Sequence, residues 1–160
     1  FIMHPFTTEK FIREVNLPAV AAGLAAVEMD RSDFEIDFSP LIATGSSDQE
    51  INNAIEVARG RIAFYGSTPG YRMVLEAHGW GELQTELNKL MKQHRTEEMA
   101  MLIEDDILAA FTIVGSPDEV VDEWVGRFGD LIDRTSFNAG ALDDQQVGSI
   151  LEKLHQCAHQ

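Results

Sequence analysis

Short apolar runs alternate along this chain with longer stretches of helical periodicity, and that alternation confines it to βα units feeding a parallel sheet. Phe1 to Met3 is the first run, followed by the turn-like His4-Pro5-Phe6-Thr7-Thr8. Thr8 is a candidate N-cap for a helix in which Phe11, Ile12, Val15, Val20, Leu24 and Val27 recur at near-helical spacing. Pro18 predicts a kink or a late start, and Asp30-Arg31-Ser32-Asp33 an end. Phe34, Ile36 and Phe38 then alternate with Glu35 and Asp37 at strand spacing. After Pro40, Leu41-Ile42-Ala43-Thr44-Gly45 is continuously apolar, as in a strand covered on both faces. A helix from Ser46 or Ser47 follows, with Ile51, Ile55, Ala58, Ile62 and Tyr65 facing inward.

Gly66 to Gly81, rich in Gly, Pro and aromatic residues, reads as a loop with at most a short helix around Arg72 to Ala77. Leu83, Leu87, Leu90 and Met91 predict a helix, and another runs from Thr96 through Met99 and Leu102-Ile103 towards Leu108. Gly115-Ser116-Pro117-Asp118-Glu119 marks the clearest boundary. Ser116 is placed as N-cap, Pro117 at the first helical position and Glu119 where a capping box needs it, ahead of Val120, Val121, Trp124, Val125 and Phe128. Arg134-Thr135-Ser136-Phe137-Asn138 reads as a short strand ended by Gly140, before a last helix with Val147, Ile150, Leu151 and Leu154. The order is strand, helix, strand, helix, a helical insertion over about 66–112, helix, strand, helix.

Length and charge narrow the possibilities. The chain has 160 residues, enough for one core but short of the ~250 of a complete eight-fold barrel. Twenty-seven acidic against 12 basic side chains give a net charge of −15, which argues against nucleic-acid and anionic-lipid partners. No apolar run approaches the ~18 residues of a membrane span, and no signal peptide opens the chain. The single cysteine, Cys157, rules out an internal disulfide and suits a reducing cytoplasm. Because the sequence opens at Phe1-Ile2-Met3, already inside an apolar run, a shortened chain is expected.

Several segments in order resemble the luciferase-like monooxygenase superfamily, and within it the branch dependent on the deazaflavin coenzyme F-420. They are Met3-His4-Pro5-Phe6-Thr7, Asp33-Phe34-Glu35, Thr44-Gly45, Ile62-Ala63-Phe64-Tyr65-Gly66-Ser67-Thr68-Pro69, His78-Gly79-Trp80-Gly81 and Ile113-Val114-Gly115-Ser116-Pro117-Asp118-Glu119-Val120. The resemblance implies an α/β fold, a partial TIM (β/α)8 barrel made of the last three βα units with a helical insertion before the final strand. It implies a parent oxidoreductase that passes hydride between F-420, or alternatively FMN, and a small organic molecule. Most cofactor contacts of that superfamily come from the first five strands, which have no counterpart here, so the isolated 160 residues are expected to be inactive. The competing reading is a non-catalytic partial barrel whose unpaired strand edges drive homo-oligomerisation or capture of a missing half.

In such a barrel the chemistry sits at the C-terminal strand ends. That selects His4 to Thr8, Thr44 to Ser47 and Asn138 to Gly140. His4 either donates a proton to the substrate, or holds a cofactor phosphate, or is a solvated loop histidine. Tyr71, His78 and Trp80 either line a substrate or cofactor face or simply cover the rim. Ser46 and Ser47 either bind a cofactor phosphate at the helix start or only cap it. His155 and His159, with Cys157 between them, have metal spacing, but one helical pair supplies too few ligands and a frayed terminus explains them as well; no metal site is expected.

Overall fold

The computed structural model describes residues 1–136 and 142–157. Its regular sheet has two parallel strands, β1 (Leu41–Thr44) and β2 (Thr112–Gly115), in register from Leu41 beside Thr112 to Thr44 beside Gly115. A second ladder is made of single bridges. Ile2 pairs with Asp37 and Asp37 with Arg134, both in parallel sense. The Met3 N–H donates to the Asp37 carbonyl at 2.8 Å, the Asp37 N–H to the Phe1 carbonyl at 2.8 Å, and the Phe38 N–H to the Arg134 carbonyl at 3.1 Å.

Strand content therefore departs from the sequence expectation in two places. The Phe34–Phe38 run keeps its alternation, since Ile36 and Phe38 are buried while Glu35 is exposed, yet it is no regular strand. The reason is local: the Asp133 carboxylate accepts the Ile36 N–H at 2.8 Å in place of a ladder partner. Of the run Arg134 to Asn138, Arg134 makes the bridge, while Phe137, Asn138 and Gly140 lie outside the described residues. The other departure is β2 itself, which the helix-start signature of Gly115 to Glu119 conceals.

Helices supply the rest. Thr8 caps α1 (Glu9–Phe11), its hydroxyl accepting the Phe11 N–H, and the chain passes through a π-helical turn at Ile12–Asn16 into α2 (Leu17–Ala26). Pro18 falls in the first turn of α2, and the wide turn just before it absorbs the kink that a proline imposes. Within this wide turn Val15 faces outward, while Phe11, Ile12 and Leu24 stay buried. Ser47 caps α3 (Asp48–Gly66). The Gly66–Gly81 segment holds a 3-10 turn at Pro69–Tyr71 and α4 (Arg72–Glu76), and leads into α5 (Gly81–Lys92). The single helix expected from Thr96 to Leu108 is two, α6 (Thr96–Met101) and α7 (Asp105–Phe111). Between them Ile103 turns inward to a fully buried position, and the Arg59 guanidinium, reaching from α3, takes its carbonyl and the Asp105 carboxylate. At α8 (Pro117–Phe128) the Glu119 carboxylate accepts the Ser116 N–H at 2.8 Å and the Ser116 hydroxyl at 2.7 Å. Last comes α9 (Asp144–Cys157).

The apolar interior follows this plan. Ile62, Leu75, Leu87, Met99, Ile103 and Phe111 gather α3 to α7 into one cluster that also takes in Phe6, Phe11 and Leu41. Met3, Ile12, Ile36, Phe38 and Ile113 meet Trp124 and Phe128 of α8 in a second, where the bridged segments and β2 share one side. Ile150 of α9 packs with Val121 and Leu142 in a third. The His4–Thr8 loop is thereby anchored twice: Met3, just before it, lies in one cluster and Phe6, at its middle, in the other.

Candidate functional site

The His4–Thr8 loop and the Gly66–Gly81 segment, far apart in sequence, close on each other. The His4 ring stacks on Tyr71 at 4.7 Å between centroids with 25° between planes, and meets Tyr65 edge-on at 4.8 Å. Phe6 lies beneath, 5.5 Å from Tyr71 and 6.1 Å from Tyr65, and stacks on Phe111 at 4.5 Å. At the loop's other end the Thr8 hydroxyl and the His78 Nε2 are 2.8 Å apart, and His78 stacks almost flat on Trp80 at 4.5 Å. Gly79, with φ of +81°, folds the chain back so that the ring after it returns over the ring before it, a backbone state that favours glycine.

Hydrogen bonds hold both imidazoles, and their surroundings set the charge state. The Phe6 N–H donates to His4 Nδ1 at 3.0 Å, so the neutral His4 ring carries its proton on Nε2. The Thr8 hydroxyl accepts the Phe11 N–H at 3.1 Å and also shares a hydrogen bond with His78 Nε2, whose direction follows the His78 tautomer. Partial desolvation under the neighbouring rings lowers the pKa of His4 below the ordinary imidazole value. Burial does the same for His78, helped by the charge of Lys10 and opposed by that of Glu14. Both are neutral at pH 7.

A pH effect follows with a definite sign. Between the ordinary imidazole value and the lower folded values the unfolded chain binds more protons, so stability falls as pH falls through that window and is level above it. Histidine ring proton shifts followed by NMR from pH 8 downward should show two imidazoles titrating below the ordinary range. A His4 or His78 that titrates above it contradicts the geometry described.

The four ring residues singled out in sequence thus form two pairs, His4 with Tyr71 and His78 with Trp80, joined through one loop rather than one continuous lid. Tyr65 and Phe6 belong with them. Tyr65 reads in sequence as one more inward position of a helix, and only its Phe-Tyr-Gly setting at the helix end hints otherwise. Ser46 and Ser47 stand apart, at the end of β1. The Ser46 N–H donates to Glu50 Oε2 at 2.7 Å and the Ser47 hydroxyl accepts the Glu50 N–H at 3.3 Å, so a carboxylate of the chain already occupies this helix start. The Ser46 hydroxyl also bonds Gln146. Gly45 is required there, because a Cβ on it would lie 2.4 Å from the Glu50 Cβ.

His155 lies on the exposed side of α9, and His159 lies outside the described residues. Among the described residues no group of three or more His, Cys, Asp or Glu side chains gathers as a metal site, and no helix is long and apolar enough to cross a membrane.

The class of molecule is an α/β fold in which two ring-bearing segments, His4–Thr8 and Gly66–Gly81, close on each other. The chain belongs to the luciferase-like monooxygenase family, whose sequence profile matches residues 1–133. It is 44% identical over 131 residues to an uncharacterized protein, Rv1360, of Mycobacterium tuberculosis, and likewise to Mb1395 of Mycobacterium bovis. Those matches cover 82% of this chain and 38% of each relative, so the chain spans well under half of the curated relatives' length. Among solved structures it resembles the coenzyme F-420 dependent tetrahydromethanopterin reductase of Methanopyrus kandleri. The TM-score is 0.67 at 20% identity, over 94% of this chain and 42% of that one, a likeness of fold.

Proposed function

We propose that residues 1–160 form the last three βα units of a luciferase-like barrel, with the helical insertion at about 66–112, in an oxidoreductase that passes hydride between a deazaflavin and an organic substrate. Membership of the family is the observation that carries this reading. The likeness to an F-420 dependent reductase favours F-420, with FMN the alternative. The parallel order of Phe1–Met3, the Asp37 segment and Arg134 is what three consecutive βα units produce, and it supports the partial barrel.

When bound, the cofactor supplies the hydride chemistry. The residues of this chain fit the substrate's side of that site. His4 presents a neutral Nε2–H beside the exposed edge of an aromatic group, suited to hold a substrate oxygen by a hydrogen bond as charge grows on it. Tyr71 and Tyr65 orient the imidazole, and the Phe6 N–H fixes which nitrogen donates. For Ser46 and Ser47 to hold a cofactor phosphate, Glu50 would first have to leave their N–H and hydroxyl groups. Of the chain's groups the His4 loop is therefore the stronger choice for contact with reacting molecules.

Self-association is the second reading, favoured by Ile2. It is 80% exposed on the outer side of the bridged ladder, and its own N–H and C=O point away from Asp37. One titration separates the two. The chain and a protein of the curated relatives' full length are each mixed with F-420 and with FMN, and cofactor fluorescence and light-scattering mass are read together. The first reading expects the full-length protein to bind F-420 at least about 100-fold tighter than the chain does, a difference of about 2.7 kcal/mol. Tighter binding of FMN moves the assignment to the alternative cofactor. A dimeric chain, with no response to either cofactor from the full-length protein, favours the second reading and sinks the first.

A further inference from the structure

We propose that the molecule received at the His4 loop is uncharged and planar and carries an oxygen acceptor, as an aryl ketone or a conjugated enone does. This rests on the reading of the loop as the substrate's side of the site, and it deepens that reading by naming what the side chains select.

The ring surfaces come first. His4 is solvent-exposed while stacked on Tyr71 and edge-on to Tyr65, and Phe64, 58% exposed, continues the patch at 5.6 Å from Tyr65. Aromatic faces and edges at this spacing favour a flat π system over a puckered alkyl ring.

The donor comes second. With Nδ1 taken by the Phe6 N–H, the one polar hydrogen His4 has left is on Nε2, and that nitrogen has no hydrogen-bond partner among the described residues. A neutral N–H complements a carbonyl oxygen and adds no net charge with which to hold an anion.

Charge comes third. Arg72, next to Tyr71, pairs with Glu76 and Glu82, and Lys10, two residues after Thr8, pairs with Glu14. The chain's net charge of −15 repels anions at longer range. A carboxylate or phosphate ester placed on these rings would lose water and gain one neutral hydrogen bond, which does not repay its desolvation.

The test uses the full chain, 15N-labelled, with long-range 1H–15N spectra of the histidine rings. Four probes of similar size are titrated: acetophenone, benzoate, cyclohexyl methyl ketone and ethylbenzene. The free protein should show His4 as the Nε2–H tautomer, and acetophenone should move the His4 Nε2 and Tyr71 ring resonances. Benzoate, the non-planar ketone and the hydrocarbon should each bind at least about fivefold more weakly, the size of one hydrogen bond or one ring contact.

Two variants divide the donor from the ring. His4→Gln keeps an amide N–H at similar reach, and His4→Phe keeps the ring without the donor. The second should weaken acetophenone about fivefold, and the first by less. If amide spectra show that His4→Phe has lost its fold, the four-probe series on the unaltered chain decides alone. Benzoate binding as tightly as acetophenone, or acetophenone moving neither His4 nor Tyr71, overturns the proposal. No cofactor enters this measurement. Selective acetophenone binding beside a failed cofactor titration would therefore sink the oxidoreductase reading and leave the ligand class standing.

Discussion

Phe6→Ala is expected to lower the free energy of unfolding by about 3–5 kcal/mol, the range for emptying a fully buried aromatic position. Phe6 is 1% exposed and belongs to the helical cluster although it sits in the loop after the first extended segment. Its ring stacks on Phe111 at the end of α7 and underlies Tyr65 and Tyr71. The cavity would open between helices whose places are fixed by other contacts, so collapse can relieve only part of the loss. Urea unfolding followed by circular dichroism measures it. A loss below about 1 kcal/mol would mean that the loop does not dock on the helical cluster as described. His4 should respond too: without Phe6, Tyr71 and Tyr65 lose their floor, and the ring-current shift of the His4 protons should shrink.

The second large effect is expected at Arg127. Its side chain is 17% exposed, and its guanidinium donates to the carbonyls of Ala109, Ala110 and Thr112 while pairing with Glu123 and Glu9. These carbonyls end α7 and begin β2, where a helix leaves backbone acceptors without helical partners. Arg127→Met keeps the stem and removes the donors, and is expected to cost about 2–3 kcal/mol. Arg127→Lys should recover less than half of that, because one ammonium cannot span three carbonyls as a planar guanidinium does. Paired thermal unfolding curves check both. Full recovery by lysine would show that charge alone matters there.

How far the sequence foretold the structure depended on whether a signal was local. Ser116, Pro117 and Glu119 specify a helix start among themselves, and that start is where they placed it. The short helix inside Gly66 to Gly81 was equally legible, bracketed by Pro69 and Gly79. β2 was not. Thr112 to Gly115 is too short to show a period and becomes a strand only by pairing with Leu41 to Thr44, a partner far away in the chain. Phe34 to Phe38 failed the other way, with an alternating face but an N–H captured by Asp133.

The candidate site divides similarly. His4, Tyr71, His78 and Trp80 were recognisable as rings in loops. Which ring meets which was not, because the pairing is set by the path that brings Thr8 to His78 and Phe6 to Phe111. The tautomer of His4 depends on one backbone N–H two residues along, a detail no residue pattern announces.

The π-helical turn at Ile12–Asn16 has a consequence for the chain as a heritable text. A turn of this kind stores one residue more than an α-helical turn while leaving the helix on either side in phase. Phe11 and Leu24, held on opposite sides of it, need not move if one of those five positions is deleted. Length and register are uncoupled at this seam. Aligned descendants of a common ancestor can therefore differ by one residue there and still bury the same side chains.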